Sequence, residues 1–138
     1  MSNSNIWVLV VDDMDANRTV LELDFRDRGV EVVCCDGGQA ALECLGKRTF
    51  DALVTDIWMP SGDGIELLRH VREQHPHLLI YAVTGGGPGM SMASASALAR
   101  VWDASKVDIK PFDSQALVDD LIADLHSARN EAAGDRQP

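Results

Sequence analysis

Basic residues are scarce in this sequence. Its 138 residues include 12 Lys and Arg against 22 Asp and Glu, so the formal net charge is −10. Proteins that bind a nucleic-acid backbone or an anionic membrane surface need a basic face, so we expect neither direct nucleic-acid binding nor attachment to anionic lipid. No apolar run exceeds six residues, the length of residues 6–11, which is too short for membrane insertion or a secretory signal.

Cysteine is scarce as well. The chain has three cysteines, and two of them, Cys34 and Cys35, are adjacent. This number and spacing do not make the disulfide framework of a small secreted domain, so we expect a reducing, cytoplasmic environment. We interpret Cys34 and Cys35 as inert apolar side chains on a buried strand, facing opposite ways.

What the sequence does contain is an ordinary globular composition, with 46% hydrophobic and 25% charged residues. A chain of this length forms one domain and can bury a core without disulfides or a structural metal. We assign residues 1–127 to that domain. Residues 128–138 carry no apolar pattern, and we expect them to form a frayed tail.

The apolar pattern alternates between short buried runs and helical periodicity. Strands are predicted over residues 6–11, 31–35, 52–55, 78–83 and 107–109. A helix is predicted after each strand, the fourth over residues 90–99 and the fifth after Asp113. Five strand–helix units in series indicate a doubly wound α/β fold with a five-stranded parallel sheet and helices on both faces.

Polar residues follow four of these strands at the point where each strand ends. They are Asp12 and Asp13 after the first strand, Asp56 after the third, Thr84 after the fourth and Lys110 after the fifth. The carboxyl ends of parallel strands meet at one edge of a sheet, where ligands bind. Three carboxylates at one place repel each other unless a cation lies between them, and such oxygen ligands suit Mg²⁺. A lysine and a hydroxyl beside that ion are groups that orient phosphoryl oxygens.

These residues occur in an order that resembles the receiver domain of bacterial two-component response regulators. The resemblance covers residues 6–127 and rests on Asp12-Asp13, on Asp56 followed by Met59-Pro60 and Asp63-Gly64, on Thr84-Gly85 and on Lys110-Pro111-Phe112. It implies a flavodoxin-like (βα)5 fold and a phosphorylation-controlled signalling function. It does not imply an enzyme beyond the domain's own phosphoryl transfer and dephosphorylation.

The resemblance also implies a metal site. Asp13 and Asp56 would bind Mg²⁺ directly, Asp12 would act mainly through a water, and the backbone carbonyl of Trp58 would complete the protein ligands. Asp56 would be the phosphoacceptor. Lys110 would pair with the acceptor carboxylate and then with the phosphoryl group.

Thr84 would hydrogen-bond a phosphoryl oxygen, which would bias a surface near the fourth strand, the fourth helix and the fifth strand. The donor would be a histidine kinase or a histidine phosphotransfer protein. Because the length leaves no room for a fused output domain, we expect signalling by docking to an unknown downstream protein. A homodimer through the face of the fourth helix, fifth strand and fifth helix is a further expectation.

Two positions depart from the family pattern. Val107 replaces the Tyr or Phe that many receivers carry three residues before the lysine, which challenges a coupled switch between Thr84 and an aromatic ring. The loop at residues 85–89 has four glycines and no Lys-Ser or Lys-Thr after it. We interpret it as a hinge rather than a phosphate-binding loop.

Two other functions stay open at this point. A phosphatase resembling the haloacid dehalogenase superfamily would use Asp13-Met14-Asp15 as its D-x-D motif, with Thr84 and Lys110, but would leave Asp56 unexplained. A receiver-like docking module that never becomes phosphorylated is the other alternative. His75 and His77 lack a third ligand nearby and are interpreted as exposed loop residues. Asp119, Asp120 and Asp124 are interpreted as the solvated face of the last helix.

Overall fold

The computed structural model describes residues 5–57, 59, 64–85, 91, 93, 97, 100 and 103–135. The strands are β1 (Trp7–Val11), β2 (Glu31–Cys35), β3 (Ala52–Asp56), β4 (Leu79–Thr84) and β5 (Lys106–Ile109). The helices are α1 (Asp15–Asp27), α2 (Gly38–Lys47), α3 (Gly64–Gln74) and α4 (Ser114–Asp135), which is called the C-terminal helix below. No described helix is both long and apolar enough to cross a membrane.

The five strands form one sheet in the order β2-β1-β3-β4-β5, and every pairing is parallel. This confirms the predicted α/β class. The chain starts near the middle of the sheet and winds outward in both directions, so the carboxyl ends of β1 and β3 are neighbours. β4 follows β3, and β5 lies at the edge beyond it.

Each face of the sheet carries its own core, because successive side chains of a strand point to opposite faces. Val8 and Val10 pack in one cluster, which includes Phe25 from α1 and Leu121 from the C-terminal helix. The other cluster lies between the opposite face and helices α2 and α3, and its sheet residues include Leu9 and Val11. The continuous apolar run of β1 is therefore buried on both sides.

The predicted end of the last helix is wrong. We expected the chain to fray from residue 128, but the C-terminal helix continues to Asp135. Residues 128–135 include three alanines, one Arg and one Glu, which favour a helix without needing an apolar stripe. Most of the predicted helix over residues 90–99, and the loop after Gly85, lie outside the described residues.

Candidate acidic site at the carboxyl edge of the sheet

The carboxylates of three aspartates converge where β1 and β3 end. Asp12 and Asp56 are buried, at 4% and 5% exposure, whereas Asp13 is exposed. Each residue offers a carboxylate oxygen, and these oxygens all lie within 4.8 Å of one another. The sequence prediction that these three residues lie together is borne out by this geometry. Since two of them are shielded from water, their mutual repulsion calls for a positive partner.

Lys110 is such a partner. Its Nζ lies 2.8 Å from Oδ2 of Asp56 and 3.2 Å from Oδ2 of Asp12. The backbone N–H of Lys110 donates to the carbonyl of Thr84 at 2.9 Å, which fixes the residue at the end of β5. Burial alone would lower the pKa of Lys110, but the hydrogen bond to Asp56 and the charges of Asp56 and Asp12 leave the pKa above its usual value. The ammonium charge is therefore held firmly at this site.

Thr84 occupies the predicted place at the end of β4. It is completely buried and pairs in register with Ile109 of β5. Gly85 follows, and an added Cβ there would lie 3.5 Å from Cβ of Lys110, an ordinary contact. Thr84 and Lys110 thus come from neighbouring strands to the same edge as the three aspartates.

Two residues of α1 that sequence reasoning did not assign to the site also contact Asp12. Nδ2 of Asn17 donates to Oδ2 of Asp12 at 3.1 Å, and Nη1 of Arg18 donates to the Asp12 carbonyl at 2.6 Å. The N–H of Met14 donates to Oδ1 of Asp12 at 2.9 Å. Their position in the first turns of the helix after a strand ending in aspartate is the sequence signal that could have identified them.

Gly64 brings the start of α3 directly against the backbone at the end of β3. An added Cβ at Gly64 would lie 2.3 Å from the carbonyl oxygen of Asp56 and 2.3 Å from that of Ile57. No side chain fits there without a shift of the backbone. The glycine of the Asp63-Gly64 motif is therefore required by this close approach.

The three carboxylates fit a hard divalent cation. Mg²⁺ prefers oxygen ligands and is commonly held by one or two carboxylates together with waters. Asp12, Asp13 and Asp56 are the only group of three or more His, Cys, Asp or Glu residues with this proximity in the described part of the chain, so His75 and His77 belong to no such group there. Trp58, whose carbonyl the sequence analysis added to the ligands, lies outside the described residues.

Comparison with known proteins assigns the class. Residues 8–122 match the family model of the response regulator receiver domain, and the chain therefore belongs to that family. Receiver domains are signalling modules rather than classical enzymes. They are phosphorylated by histidine kinases or phosphotransfer proteins and bind Mg²⁺ at an acidic pocket. This favours the receiver interpretation over the phosphatase alternative.

The relatives include longer proteins. The chain is 31% identical to the DNA-binding transcriptional regulator NtrC of Escherichia coli K12 over 138 residues, which are 100% of this chain and 27% of that protein. It is 34% identical to the response regulator protein FleR of Pseudomonas aeruginosa over 116 residues, 84% of this chain and 24% of that protein. The chain thus spans about a quarter of the length of these relatives.

Solved structures agree on the fold. A CheY-like receiver domain protein from Methanospirillum hungatei superposes with a TM-score of 0.82 at 23% identity, covering 91% of this chain and 98% of that one. The chemotaxis protein CheY4 of Vibrio cholerae superposes with a TM-score of 0.75 at 28% identity, covering 86% of this chain and 97% of that one. The predicted flavodoxin-like arrangement is confirmed by these neighbours.

Proposed function

We propose that Asp56 accepts a phosphoryl group from a phosphohistidine of a kinase or phosphotransfer protein, in a reaction that depends on Mg²⁺. The observation that carries this proposal is the contact of Lys110 with two buried carboxylates, one of which is the proposed acceptor. A buried carboxylate at the end of a strand, with an ammonium group 2.8 Å away, is a positioned nucleophile beside a ready partner for phosphoryl oxygens.

The chemical step needs little beyond positioning and neutralisation of charge. A carboxylate oxygen of Asp56 forms a bond to phosphorus as the P–N bond to the donor imidazole breaks, and the imidazole leaves with the electron pair and takes a proton. Lys110 then pairs with a phosphoryl oxygen instead of the carboxylate, and the Thr84 hydroxyl donates a hydrogen bond to another. Hydrolysis of the acyl phosphate by water resets the domain.

The metal ligands in this proposal are Asp12, Asp13 and Asp56, with the carbonyl of Trp58. When bound, Mg²⁺ neutralises negative charge on the carboxylates and the incoming phosphoryl group. Asn17 and Arg18 orient Asp12 from α1. Asp13 is exposed, so its carboxylate is accessible to the ion and contributes little to the stability of the fold.

The output follows from the change of partners at Thr84 and Lys110. Thr84 ends β4, Lys110 directly follows β5, and the C-terminal helix begins at Ser114. We expect phosphorylation to change the surface near β4, the predicted fourth helix and β5, which would dock to a downstream protein. A second copy of the chain would bind through the face of the predicted fourth helix, β5 and the C-terminal helix. A cytoplasmic location and the absence of direct nucleic-acid contact by residues 1–127 belong to the same proposal.

Phosphorylation of the purified chain tests this function. Incubation with Mg²⁺ and phosphoramidate, whose P–N bond is of the phosphohistidine type, should add the mass of one HPO₃ group to the parent. Asp56→Asn should abolish the addition. Asp119→Asn is the matched control, because it removes the same charge from an exposed residue of the C-terminal helix, and it should be labelled like the parent.

The outcomes separate the remaining alternatives. A parent that stays unlabelled and whose tryptophan fluorescence does not respond to Mg²⁺ favours the docking module and contradicts phosphoryl transfer. Labelling of Asp56→Asn at the parental rate contradicts the assignment of the acceptor. Asp13→Asn should weaken the Mg²⁺ response, and an unchanged titration midpoint would remove Asp13 from the ligand set.

A further inference from the structure

Two of the three cysteines lie in contact although they belong to different elements. Sγ of Cys35, the last residue of β2, is 3.4 Å from Sγ of Cys44 in α2. Both are free thiols, Cys35 buried and Cys44 half-buried. Cys34 faces the other side of the sheet, where its Sγ lies 3.5 Å from Oε2 of Glu22. The interpretation of Cys35 as an inert apolar side chain therefore misses its partner.

We propose that Cys35 and Cys44 are a site of reversible disulfide formation, oxidised by small-molecule disulfides. The two sulfur atoms are already in contact, so a disulfide needs only a small rotation of the side chains and no movement of α2 away from the sheet. Disulfides of this kind in cytoplasmic proteins are transient and redox-sensing rather than structural. This inference goes beyond the proposed phosphoryl transfer and does not rest on it.

The exposure of the two thiols sets the order of the steps. Cys44 is the accessible one, so its thiolate attacks one sulfur of the small disulfide, whose S–S bond breaks and releases a first thiol. Sγ of Cys35 then attacks the sulfur of Cys44, loses its proton to solvent and releases the second thiol. The protein thus gives up two electrons, and the small disulfide is reduced to two thiols.

The pair lies at the carboxyl end of β2, next to β1, whose end leads into Asp12 and Asp13. The modification would lie beside the acidic site, because the carbonyl of Cys35 accepts a hydrogen bond of 3.2 Å from the N–H of Asp12.

Thiol counting tests the proposal. The protein is equilibrated with oxidised and reduced glutathione, quenched with acid and alkylated in denaturant. Mass spectrometry of the intact protein then counts the alkylated thiols. The parent should fall from three alkylated thiols to one, since a pair of its three cysteines is consumed. Cys34→Ser should fall from two to none, and dithiothreitol should restore both. Cys44→Ser should keep its two remaining thiols or carry a glutathione adduct.

Peptide mapping and stability complete the test. Cleavage after Glu31 and Glu43 places Cys35 on residues 32–43 and Cys44 on the next peptide, so the expected disulfide links the two. In Cys34→Ser, the oxidised form should melt at a Tm roughly 5 °C above the reduced form. The proposal is overturned if Cys34→Ser keeps both thiols or holds a persistent glutathione adduct, if only disulfides between chains form, or if oxidation lowers the Tm.

Discussion

The ammonium group of Lys110 lies between two carboxylates that are almost completely shielded from water. Removing one partner of such a cluster leaves charge buried without compensation, which costs far more than the loss of an exposed ion pair. A divalent cation can supply the same compensation. Lys110 and Mg²⁺ are therefore expected to act on the same carboxylates, the lysine as a covalently attached charge and the ion as an exchangeable one.

Lys110→Met keeps the length of the side chain and removes its charge. In the absence of divalent cations we expect the free energy of unfolding to fall by about 3 kcal/mol, because Asp12 and Asp56 lose the ammonium charge that lies against both of them. Addition of Mg²⁺ should restore most of this loss, and Mg²⁺ should bind more tightly than to the parent. Denaturant unfolding with EDTA and with excess MgCl₂ measures both effects.

Lys106→Met is the matched control, at the start of the strand that leads into Lys110. Lys106 pairs with Asp120 at 2.5 Å on the exposed side of β5, and a surface pair of this kind contributes less than about 1 kcal/mol. The loss of stability in Lys106→Met should be the same with and without Mg²⁺. If Lys110→Met were equally stable with and without Mg²⁺, the cation would not share the carboxylates with the lysine.

At the scale of the secondary-structure elements, the approach of α3 to the end of β3 decides where Asp56 lies. Gly64 is the first residue of α3, and its Cα faces the carbonyls of Asp56 and Ile57 without room for a side chain. Asp56 and the helix that follows it are therefore packed backbone against backbone. A change at Gly64 moves Asp56 without altering any group that takes part in the chemistry.

Gly64→Ala should reduce the free energy of unfolding by about 2–3 kcal/mol, because the added Cβ forces α3 away from the strand. Labelling of Asp56 by phosphoramidate should slow in the same variant, since the carboxylate moves relative to Lys110. Chemical denaturation and the labelling rate are the two measurements.

Gly46→Ala provides the contrast. Gly46 lies inside α2, and an added Cβ there meets no atom within 4 Å. Alanine should stabilise the chain by about 0.5–1 kcal/mol through helix propensity and leave labelling unchanged. Parental stability and labelling in Gly64→Ala would contradict the close approach.

At the scale of the whole molecule, the acidic surface is more than a solvated face. Asp119, Asp120 and Asp124 are exposed as predicted, but each also has a partner outside the C-terminal helix. Asp119 accepts from Arg28 of the α1 end, Asp120 from Lys106, and Asp124 from the hydroxyl of Tyr81. These pairs connect the helix to α1, β5 and β4.

Tyr81 makes the stability depend on alkaline pH. Burial and the hydrogen bond to Asp124 raise the pKa of Tyr81 above its usual range. The folded chain then keeps a proton that the unfolded chain loses near pH 10, so stability falls as the pH rises above that value. Between about pH 9 and about pH 11 this residue should account for a loss of about 1.4 kcal/mol.

Near pH 8, Tyr81→Phe should be less stable than the parent by about 1 kcal/mol. Above about pH 9, the variant should not show the further decrease in the free energy of unfolding that Tyr81 causes in the parent. Denaturant unfolding across that pH range measures the free energy of unfolding of both proteins. The titration of the lysines affects both equally, so it cancels in the difference between them. Tyr81 is the only tyrosine, so tyrosinate absorbance follows it directly. Titration of the folded parent near pH 10 would contradict the raised pKa.

The end of the C-terminal helix shows where a sequence pattern stops being informative. The lack of an apolar pattern after Ser127 predicted a frayed tail, but the helix continues to Asp135, because a helix needs an apolar stripe only where it packs. Strand boundaries were predicted to within one residue. For β1 and β4 the reason is that buried strands of a parallel sheet are continuous apolar runs.

The sequence by itself determined the α/β class and the edge of the sheet at which Asp12, Asp13, Asp56, Thr84 and Lys110 meet. The spacing of apolar residues along the chain identifies strands and helices, and the parallel arrangement of the strands brings their carboxyl ends together. Only the tertiary structure decided that Lys110 contacts both buried carboxylates, that Gly64 lies against the backbone of Asp56, and that Cys35 contacts Cys44. Those contacts join residues of different elements over distances of a few ångströms, and a pattern along the chain carries no information about the packing that sets such distances.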